Sequence, residues 1–283
     1  MTTATLLLSC PDQPGIVAAV ADFVFRHGGN IVHADQHNDA ERGVFFQRVE
    51  FELEGFGLGR ADLATAVEDL GARFEMHVDI KYSDERAKTA VLVSREPHCL
   101  YDLLARWRGG ELPGDIELVI SNHPDHADVA AHFGLPYHHL PVTADTKAQQ
   151  ERAVLALLHD HGVELVVLAR YMQILSADFV DQFPNKIINI HHSFLPAFVG
   201  SRPYHQAHER GVKLVGVTAH YATADLDAGP ILAQDVVHTS HRDAVADLVR
   251  KGRDLEKAVL ARAVLAHLEH RVLVYGNKTV VFS

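Results

Sequence analysis

The chain has 283 residues, 47% hydrophobic and 22% charged, with 26 Lys and Arg against 37 Asp and Glu for a formal net charge of −11. That balance fits one large or two ordinary globular domains and excludes wholesale disorder. The acidic surplus argues against nucleic acid or an anionic membrane as partner, since both require basic patches, but leaves open an anionic small molecule, which senses only local charge.

The first part of the chain reads as βαββαβ, a ferredoxin-like order. Thr5–Ser9 is a short apolar strand, and the following loop offers Asp12 as a helix cap. Ile16, Val20, Phe23 and Val24 recur at helical spacing, and Gly28-Gly29-Asn30 stops that helix. A strand from Ile31, a polar turn over 38–43 and a long strand follow. In the latter Phe45, Val49, Phe51 and Leu53 alternate with Arg48, Glu50 and Glu52, which predicts one buried and one wet face. Leu63, Val67 and Leu70 mark a second helix, and Met76, Val78 and Ile80 a fourth strand. The polar, aperiodic stretch 83–88 marks the boundary between a domain of residues 1–85 and one of 86–283.

From Thr89 strands and helices alternate. Ala90–Val93, Ile116–Ile120, Leu165–Leu168 and Ile187–Ile190 are apolar runs of strands buried on both faces of a mostly parallel sheet. Helices are predicted over 100–107, 125–132, 146–161 and the long segment 243–270, with a closing hairpin around Gly276-Asn277. An open α/β sheet places its ligand site beyond the carboxyl ends of the strands.

No apolar run nears the ~20 residues of a membrane span, and the N-terminus lacks a signal peptide's basic region and cleavage site. Cys10 and Cys99 are the only cysteines, so no disulfide framework and a cytoplasmic setting are expected.

Asn189 and His191 lie two apart at the end of a buried strand and share a face. An amide that donates beside an imidazole that titrates near neutrality suits polarising a carbonyl and moving a proton. Downstream, Asp225 and Asp227 precede Gly229-Pro230. Asp227 could orient and charge a histidine, or take a proton from water. Taken singly, each group could equally satisfy loop backbone or cap a turn.

Together Asn189-Ile190-His191 and His220 followed by Asp227-Ala228-Gly229 resemble the motifs of the formyltetrahydrofolate-dependent formyltransferases and hydrolases, over about 89–283. Ser121-Asn122-His123, Tyr137–Val142, the stretch 189–200, residues 203–207 and Val274–Asn277 are similar to the deformylases of that family. Asp12-Gln13-Pro14-Gly15-Ile16-Val17 and Gly28-Gly29-Asn30-Ile31 resemble an ACT domain, the arrangement that deformylases share. The resemblance implies Asn189, His191 and Asp227 as catalytic residues. It implies Met172, Gln173, Ile174 and Leu175 as the loop that holds the pterin, with His220 and Asp225 beside it, and folate as substrate rather than cofactor. Relatives usually carry Arg where Gln173 stands, which removes a charge from the folate-tail side. Arg170 is expected to point elsewhere on an extended chain.

The implied reaction is hydrolysis of 10-formyltetrahydrofolate to formate and tetrahydrofolate, supplying formate for purine synthesis and balancing folate pools. Relatives that formylate a phosphorylated amine carry a glycine-rich loop after the first strand; here it reads Ser94-Arg95-Glu96-Pro97-His98-Cys99. The lack of glycine, and a proline that removes an N–H, favour water over an amine acceptor. A formyltransferase and an ACT-dominated ligand sensor are the rival readings. The ACT part implies a methionine or glycine effector near Asp12, Gly28, Gly29 and Asn30, with bare N–H groups in the glycine turn, and a homo-oligomer. No metal is expected: adjacent histidines on a strand point to opposite faces, and no His-Glu-x-x-His accompanies them. Ser193 lacks a nucleophile elbow.

Overall fold

A computed structural model describes residues 2–197 and 203–283. Residues 198–200, which end the stretch opening at Asn189, lie outside the described residues. The chain divides into two compact units, Met1–Arg86 with Glu269–Tyr275 and Thr279–Ser283, and Ala87–Leu268 with Gly276–Lys278.

The first unit runs β1 (Thr3–Pro11), α1 (Ile16–Arg26), β2 (Ile31–Asp39), β3 (Val44–Glu52), α2 (Arg60–Ala72) and β4 (His77–Tyr82). Its antiparallel sheet is ordered β2-β3-β1-β4. Ile16, Val20, Phe23 and Val24 of α1 and Leu63, Val67 and Leu70 of α2 bury against Leu6, Leu8, Val49 and Phe51. Three local expectations are corrected. Asp12 does not cap α1. The helix starts at Gly15, in the left-handed region at φ +96° with no side-chain cap, and Asp12 Oδ2 instead accepts from Asn38 Nδ2 at 2.6 Å. The N–H groups of Gly28 and Gly29 are not bare: they donate to Phe25 O and Val24 O at 3.0 and 2.9 Å and close the helix end. The second face of β3 is not wet. Leu273 and Phe282 of the closing hairpin cover Phe46 and Leu7 there, and buried Arg48 donates to His270 O and Glu269 O at 3.0 and 3.3 Å. Long-range cover, invisible to local alternation, closes that face.

The second unit runs β5 (Lys88–Val93), α3 (His98–Arg108), β6 (Asp115–Ser121), α4 (Ala127–His132), β7 (Tyr137–His139), α5 (Lys147–Asp160), β8 (Leu165–Leu168), α6 (Ala177–Val180), β9 (Ile187–His191), α7 (Pro203–Arg210), β10 (Leu214–Tyr221), β11 (Ile231–His238) and α8 (Val245–Leu268). The sheet order is β11-β10-β9-β8-β5-β6-β7, parallel from β9 to β7, with β10 antiparallel to both its neighbours. Strand order reverses at β5, a switch point of the kind that opens a crevice beyond the strand ends. β7, β10, β11, α6 and α7 carry no strong period and were not anticipated as elements. The antiparallel register sets His220 opposite Asn189 and Thr218 opposite His191. Among the described residues no helix is long and apolar enough to cross a membrane.

Candidate active site

Asn189 and His191 leave the end of β9 on one side and, with Asp227 and His220, line a cavity of about 370 Å³. His191 Nδ1 lies 3.2 Å from Asp227 Oδ1, and His220 Nε2 lies 3.7 Å from the same oxygen. His220 Nδ1 is 2.9 Å from the carbonyl of Tyr221. A carbonyl only accepts, so Nδ1 carries the proton, and the neutral ring offers Nε2 to the Asn189 amide at 3.2 Å. One N–H of that amide is thereby fixed and the other is left for a ligand. By the same logic His191 donates from Nδ1 to the carboxylate, and its buried Nε2 has no protein partner. The hydrogen bond from His191 holds Asp227 well below the usual carboxylate range.

The local backbone explains the second motif. Asp227 adopts φ +54°. A Cβ on Gly229 would lie 1.8 Å from the Tyr221 carbonyl oxygen, the atom that orients His220, so only glycine fits there. Thr218, which pairs across from His191, is structural: its Oγ1 accepts from Leu195 N–H and Gln234 Nε2 and donates to Ser193 O. Asp225 does not join the cavity. It is exposed on the same loop, with its carbonyl bonded by Thr223 Oγ1.

Met172, Gln173, Ile174 and Leu175 form another wall. Met172 and Ile174 remain 56% and 58% exposed, apolar surface available to a flat ring. Buried polar groups pin the ends of this loop. Met172 N–H donates to Ser94 Oγ at 3.0 Å, Gln150 Nε2 to Tyr171 Oη at 2.8 Å, and Ser176 N–H to Glu151 at 3.0 Å.

Two cavity residues contradict the expectation from sequence. Arg170 is not extended: at φ +63° it turns into the cavity wall, with Nε 3.4 Å from Glu256 of α8. His192 lies beyond the end of β9, so strand alternation no longer governs it, and it lines the same cavity as His191. Burial, then the charge of Arg170, push the His192 pKa down to about 4. Glu256 is buried and also bonds His98 Nε2 at 2.7 Å and Tyr204 Oη at 2.9 Å. Burial pushes the neighbouring Cys99 thiol up, so it is unreactive. His98, Cys99 and Glu256 bring ligand-type atoms within 4.8 Å of one another, but the Arg170 guanidinium beside the carboxylate opposes a cation there.

This arrangement has close counterparts. A formyl transferase family profile matches residues 87–264, and an ACT domain profile residues 4–72. A formyltetrahydrofolate deformylase of Synechocystis sp. is 59% identical over 99% of each chain, and that of Bacillus subtilis 48% identical over 98% of this chain and 93% of its own. The chain belongs to the formyltetrahydrofolate deformylase family. The crystal structure of the deformylase from Pseudomonas syringae superposes with TM-score 0.97 at 47% identity, covering 100% of this chain and 95% of that one. A glycinamide ribonucleotide transformylase from Symbiobacterium toebii matches with TM-score 0.68 at 32% identity over 72% of this chain and 98% of its own. The family fold is thus an ACT domain joined to a formyltransferase-like parallel-rich sheet. In this deformylase-family chain, sequence reasoning missed Arg170, His192 and Glu256. A charged residue at a strand end and a lone Glu among the apolar positions of α8 were the available signals.

Proposed function

We propose that this protein hydrolyses 10-formyltetrahydrofolate to formate and tetrahydrofolate, with Asn189, His191 and Asp227 as catalytic residues. The observation that carries the reading is the convergence of these three side chains on one cavity beside the apolar loop 172–175. The pterin lies against Met172, Ile174 and Leu175, with Gln173 and His220 at its rim. Asp225, away from the cavity, serves the loop and not the ring. Asp227 Oδ1 is engaged by His191, which leaves the second oxygen to hold water. The water oxygen attacks the formyl carbon while its proton passes to the Asp227–His191 pair. The free Asn189 N–H and protonated His191 Nε2 stabilise the oxyanion. The pair then returns the proton to N10, the C–N bond breaks, and formate leaves with one proton released to solvent. No cofactor enters this scheme.

Water is favoured over an amine because the β5–α3 loop offers no glycine cradle and its Glu96 is tied to Arg253 at 2.6 Å. The cavity with its polar triad likewise disfavours a pure sensor. The product formate would feed purine synthesis in the cytoplasm. A methionine or glycine effector is proposed for the ACT unit. Asp12 remains the candidate for its ammonium, whereas the glycine turn 28–30 has little left to give a carboxylate. A homo-oligomer paired through ACT sheets is part of the same reading. Incubating the protein with 10-formyltetrahydrofolate in water, with and without an amine acceptor, tests the function. Formate should appear at the same rate in both; formyl transfer in place of formate would overturn it.

A further inference from the structure

Arg170 is more strongly constrained than a wall residue needs to be. It spends a left-handed backbone, at φ +63°, to bring a cation to a cavity that already holds an ionised carboxylate. Its Nε faces Glu256 at 3.4 Å. Among the described residues no hydrogen bond reaches its two amino groups, and only Nε counts among the buried nitrogens without a hydrogen bond. The amino groups are therefore reachable from the cavity that Arg170 lines. Glu256 does not depend on this arginine alone, since His98 and Tyr204 also bond it. Gly252 keeps that support in place: a Cβ there would lie 1.9 Å from Tyr204 Oη. His192, with no hydrogen bond to its ring among the described residues, adds a second polar group to the same wall.

We propose that Arg170, aimed by Glu256 and flanked by His192, forms a carboxylate subsite that receives the formate produced in this cavity. The inference rests on the hydrolytic reading above. Hydrolysis turns a neutral formyl group into an anion beside Asp227. Two carboxylates in one small cavity repel, and a planar guanidinium with two free amino groups is the matched partner for a planar carboxylate. Arg170 thus draws the product away from Asp227 and fixes its release path. The other carboxylate source in the same ligand is the folate glutamate tail, and the test separates the two.

The experiment measures formate inhibition of hydrolysis in wild type, Arg170→Met and Arg170→Lys, with folding checked by circular dichroism. The formate inhibition constant should rise about 10-fold or more in Arg170→Met and by less in Arg170→Lys, which keeps the charge and leaves Glu256 paired. An unchanged constant in either folded variant overturns the subsite. Tetrahydropteroate substrate, which lacks the glutamate, gives the second arm. If the KM defect of the variants vanishes with it while formate inhibition matches wild type, Arg170 serves the tail and the proposal fails. Binding of ¹³C-formate to the protein with tetrahydrofolate, followed by NMR, reads the subsite without turnover. Loss of that binding in Arg170→Met supports the subsite even if wild type releases no formate, a result that would instead overturn the hydrolytic reading.

Discussion

Removing the Asn189 amide takes one donor from the developing oxyanion, so Asn189→Ala should lower kcat about 10²–10³-fold while leaving the unfolding midpoint near wild type. Near-normal turnover in a folded variant would refute the role. Asp227 sits well below the usual carboxylate range because His191 bonds its charged form. Its stabilising contribution is therefore present above the unfolded carboxylate pKa of about 4 and is lost only as pH falls through the lower folded value. Asp227→Asn should cost stability at pH 7 and converge on wild type in strong acid, as read by urea midpoints. It should also slow hydrolysis while retaining folate binding. The buried histidines act in the same direction, over a higher pH window. His192 and His270 are each pushed down to about 4, chiefly by burial. Between about 6.5 and 4 the unfolded chain binds protons that the folded chain refuses, so stability falls as pH falls through that window. His192→Gln should flatten this slope; an unchanged slope would show that His192 titrates freely.

At the scale of elements, the second motif depends on a glycine more than on its acid alone. Gly229→Ala would press on the Tyr221 carbonyl, disturb the partner of His220 Nδ1 and so release the Asn189 amide. A loss of turnover comparable to Asn189→Ala is expected, with the protein still folded. The elements legible in the sequence were those with a local period: α1 and α2 through their apolar spacing, and β5, β6, β8 and β9 through unbroken apolar runs. β10 was not, because Thr218 and His220, set opposite His191 and Asn189, interrupt its apolar run, and in β11 Gln234 and Asp235 do the same. The triad Asn189, His191 and Asp227 was legible through its resemblance to the formyltransferase and hydrolase motifs, since each group alone fitted a structural role as well. Arg170 and His192 were not: a positive φ at Arg170 and the position of His192 just past the end of β9 set where each side chain points, and neither is written in a pattern. Asp12 and the Gly28–Gly29 turn failed for a related reason, as their polar groups are consumed by partners that spacing does not reveal.

For the whole molecule, the two arms of the closing hairpin, Glu269–Tyr275 and Thr279–Ser283, belong with the first unit. A truncation beginning near Arg86 leaves Leu273 and Phe282 without Leu7 and Phe46. It should aggregate where a form also lacking residues 269–283 stays in solution; sedimentation compares them. An equally well-behaved first truncation would show that the hairpin face needs no cover. Calorimetry with methionine and glycine on the intact chain decides whether the ACT unit takes an effector, with heat and an altered hydrolysis rate expected together. The central claim is that water is the acceptor at the Asn189–His191–Asp227 site. Turnover of 10-formyltetrahydrofolate in ¹⁸O-water without any amine tests it most directly. The account predicts formate carrying one solvent oxygen, released in step with tetrahydrofolate and largely lost in Asp227→Asn. Tetrahydrofolate appearing only when an amine is supplied, with no labelled formate, would contradict it.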